Sequence, residues 1–120
     1  MDKKLVGRFG EQAAADFLKK NRYKIVGLNY SCRFGEIDVI AENKRYIVFV
    51  EVKLRKSDEF AEAKEFVTRP KQERIIKAAS LWLTQNETSL QPRFDVIEIY
   101  ASEGTASKSI KINHIENAFQ

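Results

Sequence analysis

The sequence predicts an α/β fold, a mixed sheet with helices packed on it, from three observations. Apolar residues recur at helical spacing near the start, two alternating segments separated by a short polar break follow, and a β-rich segment is joined through a long helical segment to another. A strand, helix, strand succession of that length is a crossover, which implies a parallel pair inside the sheet.

Phe9, Ala13, Ala14, Phe17 and Leu18 mark one face of a helix over residues 5–20, and Lys19-Lys20-Asn21 supplies a cationic stop containing Asn. Residues 23–29 are rich in β-formers and predict the first strand, with 30–35 as a polar loop. Residues 36–41 alternate polar and apolar, Glu42-Asn43-Lys44-Arg45 breaks the pattern, and 46–53 resumes it with Val, Ile and Phe, so these two strands predict a hairpin. The charged, weakly apolar stretch after Glu59, up to Val67, suits a loop or a short helix equally. Thr68-Arg69-Pro70 reads as a helix entry with proline in the first turn, and Ile75, Ile76, Ala79, Trp82 and Leu83 form one stripe until Asn86. Residues 93–100 predict a strand, 101–109 a flexible turn, and 110–115 a returning edge strand.

At 120 residues, with 43% hydrophobic and 32% charged, the chain suits a single folded domain over residues 1–120. The longest apolar run, 46–50, falls far short of the ~20 residues that span a bilayer, and the charged start leads into no signal-peptide core. The expectation is a cytoplasmic protein without a membrane partner. One cysteine, Cys32, and one histidine, His114, allow neither an internal disulfide nor a Cys/His zinc cluster, so any metal is expected on oxygen ligands. The net charge is +4, and the first 60 residues carry 13 basic and 9 acidic groups against 8 of each in the rest. Whatever polyanion the surplus attracts, it attracts to the first half.

Alternation puts Glu36, Asp38 and Ile40 on one face of the first hairpin strand and Ile37, Val39 and Ala41 on the other, while Ile47, Phe49, Glu51 and Lys53 share a face of its partner. If Glu42 pairs with Ile47 across the turn, Asp38 falls opposite Glu51, with the Cβ atoms ~5 Å apart. Two adjacent carboxylates on a covered strand repel each other and lose hydration unless a cation joins them, and Mg²⁺ suits both, keeping waters for a phosphate. The same residues also suit the wet end of an antiparallel strand, where Glu-x-Lys is simply solvated.

Four ordered segments carry a resemblance: Gly7-x-x-Gly10-Glu11-x-Ala13-Ala14, Gly35-Glu36-Ile37-Asp38-Val39-Ile40-Ala41, Phe49-Val50-Glu51-Val52-Lys53-x-Arg55 and Arg93-Phe94-Asp95-Val96. Together they resemble the YraN-type family of small bacterial proteins, within the restriction-endonuclease-like PD-(D/E)XK superfamily that includes archaeal Holliday junction resolvases. Ile37 stands where the motif's leading proline would be. The resemblance implies a restriction-endonuclease-like mixed central sheet flanked by helices and a metal-dependent DNA endonuclease, with branched or structured DNA among its expected substrates. It further implies that Asp38, Glu51 and the Val52 carbonyl hold Mg²⁺ or Mn²⁺. Lys53 would then stand near the attacking water and scissile phosphate, with Glu11 completing the acidic site and Glu36 behind it. A helix-dipole role for Glu11 is the alternative.

Lys71 lies one turn before Ile75, which suits either a phosphate contact that supports the site or a stem covering the core. Lys53, Arg55, Lys56, Arg69 and Arg74 can track a phosphate backbone, and Arg33 and Phe34 can add charge and base stacking, although core packing suits Phe34 better. Asp95 is expected to pair with a nearby arginine, Trp82 to sit in the core, His114 on an edge strand, and Cys32 in a loop. So short a nuclease would need two copies to cut both strands, so a homodimer is expected. The competing expectation is a non-catalytic nucleic-acid-binding or partner-binding domain of the same fold.

Overall fold

Helix α1 (Lys3–Lys20) leads into strands β1 (Lys24–Cys32), β2 (Gly35–Glu42) and β3 (Tyr46–Lys56), then helix α2 (Arg69–Gln85) and strands β4 (Gln91–Ala101) and β5 (Lys111–Phe119). The computed structural model describes residues 3–56, 67–101 and 110–120. The stretch from 57 to 66 and nearly all of the turn at 101–109 lie outside the described residues. The strands form one sheet in the order β1-β2-β3-β4-β5. β3 and β4 run parallel, as the crossover through α2 demands, and the other neighbours are antiparallel.

The helices cover opposite faces. On one, Ala14 and Leu18 of α1 pack with Val39, Ala41, Val48, Val50, Ile97 and Ile99. On the other, Ile75, Ala78 and Ala79 of α2 pack with Ile37, Ile40, Ile47, Phe49 and Val96. Burial on both sides explains why β3 and β4 read as near-continuous runs of Val, Ile and Phe, each such side chain contributing about 1.5–3 kcal/mol of apolar burial. Phe49 anchors the α2 side through an edge contact with Trp82 and a stacked one with Phe94.

Local chemistry sets the ends of the elements. Thr68 caps α2, its hydroxyl accepting from the Lys71 N–H at 3.4 Å, with Pro70 in the first turn. In the β2–β3 turn the Asn43 side chain accepts the N–H groups of Arg45 and Tyr46 at 2.9 and 2.8 Å. Helix α1 ends in a Schellman motif: the Tyr23 N–H donates to the Leu18 carbonyl and the Arg22 N–H to that of Lys19. Arg22 has φ 70, a left-handed conformation that glycine adopts without the Cβ clash. Arg22→Gly is therefore expected to raise stability by about 0.5–1 kcal/mol, read as a higher midpoint in a denaturant titration with an unchanged slope.

Several strand boundaries differ from the expectation: β3 runs on past Lys53 to Lys56, β4 already begins at Gln91, and the ends of β1 and β5 lie further along the chain. Tyr30, Ser31 and Cys32 are not loop but the end of β1, paired with Ile37, Glu36 and Gly35, so Cys32 is a strand thiol and the turn is only Arg33-Phe34. β1 is an edge strand with one side open to water, and its polar residues imitate a loop composition. β5 likewise continues past Ile115 to Phe119 after an irregularity in which Asn117 takes φ 52.

Candidate functional site

β2 and β3 pair in the register expected from the hairpin, Glu42 with Ile47, but their ladder stops at Val39 with Val50. Asp38 is the next residue. Rather than continuing the ladder, its carboxylate accepts the Val52 N–H at 2.8 Å. Opposite it in β1, Asn29 has φ 53, so the hairpin bends at this level. The bend breaks the alternation expected for β2: Ile37 packs on the α2 side, while Val39 and Ala41 pack on the α1 side. Asp38 thus sits at the sheet's parting point, half-buried, with both helices within electrostatic reach.

Glu51 is buried at 6% exposure and carries a cation. Lys71 Nζ lies 2.9 Å from its Oε1, and Lys53 Nζ lies 4.0 Å from the same oxygen. Burial, and then the neighbouring Lys71 charge, pull Lys53 below the ordinary lysine range. Burial works against Lys71 as well, but the hydrogen bond to Glu51 and the charges of Glu51 and Asp38 outweigh it and raise Lys71.

From α1 comes Glu11. Gly10 is buried against Val52 and Leu54, close enough that an added Cβ would stand 3.6 Å from Val52 Cγ1, and this close approach brings the following glutamate over the end of the sheet. Carboxylate oxygens of Glu11, Glu36 and Asp38 lie within 4.8 Å of one another. Burial, with the Glu51 charge second, pushes Asp38 up to about 7 despite the Val52 hydrogen bond. Glu11, Glu36 and Asp38 cluster together, while Glu51 acts on Asp38 through its charge and is held by Lys71. Such an all-oxygen set, with one carboxyl starved of solvation, fits a hard divalent cation.

The raised Asp38 has a sign that can be measured. Between pH ~4 and ~7 the folded protein holds a proton that the unfolded chain has released, so this group's stabilising contribution is lost as pH rises through that window. In chelator, stability is expected to fall by roughly 2 kcal/mol across the window, after discounting for partial exposure. Asp38→Asn should flatten the slope, and an identical slope in the variant would refute the assignment.

The remaining cations differ in availability. Arg33 and Arg74 are exposed, and Arg74 adjoins Gly35 at the β1–β2 turn. Arg33 lies over the Phe34 ring at 4.8 Å, and Phe34 packs on the core. Arg55 is engaged by buried Glu98, Nε to Oε2 at 2.9 Å, and its side chain is only 15% exposed. Lys56 closes β3, and its side chain lies outside the described residues. The Arg55–Glu98 and Lys71–Glu51 pairs were not legible in the sequence, because neither the parallel register nor the helix placement can be read from spacing. Among the described residues no helix is long and apolar enough to cross a membrane.

Comparison with known proteins agrees with the motif order. The family model of the uncharacterised protein family UPF0102 matches residues 10–99. The UPF0102 protein of Caldanaerobacter subterraneus subsp. tengcongensis is 46% identical over 120 residues, covering 99% of this chain and 98% of that protein. That of Caldicellulosiruptor bescii is 45% identical over 121 residues, covering 99% and 100%. A Clostridium botulinum (strain Loch Maree) relative is 40% identical over 117 residues, covering 96% and 94%. The chain belongs to the uncharacterised UPF0102 family, the YraN family whose motifs its sequence carries.

Proposed function

We propose that this protein is a metal-dependent endonuclease hydrolysing phosphodiester bonds in DNA, branched or otherwise structured DNA included. The observation that carries the reading is the convergence of Glu11, Glu36 and Asp38 within 4.8 Å, beside a buried Glu51 that shares one oxygen between Lys71 and Lys53. Four carboxylates facing two ammonium groups leave an excess of negative charge, which an oxygen-seeking ion such as Mg²⁺ or Mn²⁺ would offset.

Asp38 and Glu51 are the ligands in this reading, with the Val52 carbonyl beside them and Glu11 and Glu36 completing the acidic wall. When bound, the ion would neutralise phosphoryl charge and acidify its water. Lys53 extends from the same face of β3 as Glu51 and offers a point charge to a phosphate oxygen. Burial and the Lys71 charge hold Lys53 below the ordinary lysine range, so it gives up its proton more readily than a free lysine. Arg33, Lys71 and Arg74, from the hairpin tip and the first turns of α2, can contact flanking phosphates.

Labelled linear, flapped and four-way-junction DNA incubated with the protein is expected to be cut with Mg²⁺ or Mn²⁺ and left intact in EDTA. Absence of cleavage on every substrate with either ion would overturn the reading. One observation favours the alternative, a non-catalytic nucleic-acid-binding domain: Lys71 already neutralises Glu51 at 2.9 Å. That alternative requires salt-sensitive DNA binding in EDTA that persists when Asp38 and Glu51 are replaced.

A further inference from the structure

We infer that Lys71 is an exchangeable counter-cation of Glu51, holding the carboxylate in the metal-free protein and yielding it when a divalent cation binds. The inference rests on the metal-site reading above. It concerns which of the chain's own groups must move before Glu51 becomes a ligand.

Glu51 is inside the protein, its side chain 7% exposed, so water cannot do what its partner does. The partner is Lys71 at 2.9 Å, with Lys53 further off at 4.0 Å on the same oxygen. A metal bond to that oxygen would bring a dication within a few ångströms of the Lys71 ammonium, and at such separations like charges repel strongly in a partly buried site. One of them must leave. Lys71 is the group free to do so: its side chain is 38% exposed against 27% for Lys53. Lys71 projects from the first turn of α2, whose backbone is fixed by the Thr68 cap, so the side chain can swing while the helix stays. Lysine also suits exchange, being a point charge on a flexible stem, whereas the planar fork of an arginine would lock the carboxylate. The site therefore holds its own placeholder, which keeps a buried carboxylate paired until the ion arrives.

The test measures metal binding without DNA, so it is independent of cleavage. Mn²⁺ is titrated calorimetrically into the wild type, Lys71→Met and Arg74→Met. Arg74 lies one turn further along α2, is exposed, and serves as the control for simple loss of nearby positive charge. Lys71→Met is expected to bind Mn²⁺ about tenfold more tightly, because the competitor is gone, and Arg74→Met no more than about twofold. Equal affinity in wild type and Lys71→Met, or equal tightening by both variants, would overturn the exchange while leaving the metal site standing. No binding by any of the three would overturn both. A second measurement uses the wild type itself, reductively methylated with ¹³C-formaldehyde. The Lys71 methyl resonance should move on addition of Mg²⁺, and a resonance unchanged at saturation would also refute the exchange.

Discussion

Asp38→Ala is expected to reduce the proposed metal-dependent cleavage by about 10³-fold or more while leaving the melting temperature at pH 8 within a few degrees of the wild type, since losing a ligand of the proposed metal would remove several kcal/mol of transition-state stabilisation. The two halves of this expectation have separate causes. The variant loses the carboxylate that accepts the Val52 N–H at 2.8 Å, a hydrogen bond contributing about 1 kcal/mol. It also loses a charge that is poorly solvated and repelled by Glu51 and Glu11, as its elevation to about 7 records. Above pH 7 these effects oppose one another, so the fold is nearly indifferent to a residue on which the proposed chemistry depends. Single-turnover cleavage and thermal melts on the same preparation check both. Cleavage within tenfold of the wild type would remove Asp38 from the metal site. A collapse of the melting temperature would make it a structural residue instead.

Asp38 also shows how far the sequence could be read. The hairpin register follows from alternation and the polar break at Asn43, and the ladder has Glu42 opposite Ile47. From that register alone, Asp38 would simply face Glu51 across the strands. The bend at Asn29, the end of the ladder at Val39 and the capture of the Val52 N–H are tertiary events with no local signature, and they turn Asp38 towards Glu11 and Glu36. The strand to helix to strand crossover was legible because buried parallel strands leave an uninterrupted apolar run. The full length of β1 was not, because edge-strand polarity and loop polarity look alike. Lys71 was legible only as a lysine near the apolar stripe; its contact with Glu51 depends on where α2 lands on the sheet.

The opposite case is Asp95, which is expected to matter to the fold and not to the chemistry. Asp95→Ala should cost about 4 kcal/mol, a melting temperature lower by roughly 15 °C, because it leaves Arg93 buried without its partner. The Asp95 side chain is fully buried and accepts from Arg93 Nε and Nη2 at 2.9 and 2.8 Å and from the Asn117 N–H at 3.0 Å. His114 Nε2 lies 2.6 Å from Oδ2, and Tyr23 accepts a further hydrogen bond from Arg93 at 2.7 Å. The expected arginine pair is therefore present, and the network reaches further: it ties β4 to the irregular part of β5 and to the residue that closes α1. Burial alone would raise Asp95, but the bonds from His114, Arg93 and Asn117 outweigh it and hold the carboxyl below its ordinary range. The linkage sign is then the reverse of that at Asp38: the stabilising contribution is present above pH ~4 and lost as pH falls below it. Denaturant titrations of wild type and Asp95→Asn from pH 7 to pH 3 should converge at the acid end, and parallel curves would refute the assignment. Two aspartates of one sheet are thus shifted in opposite directions. The one surrounded by donors holds the structure together, and the one left short of them, beside three other acids, is where the proposed cation and its substrate would have something to offer.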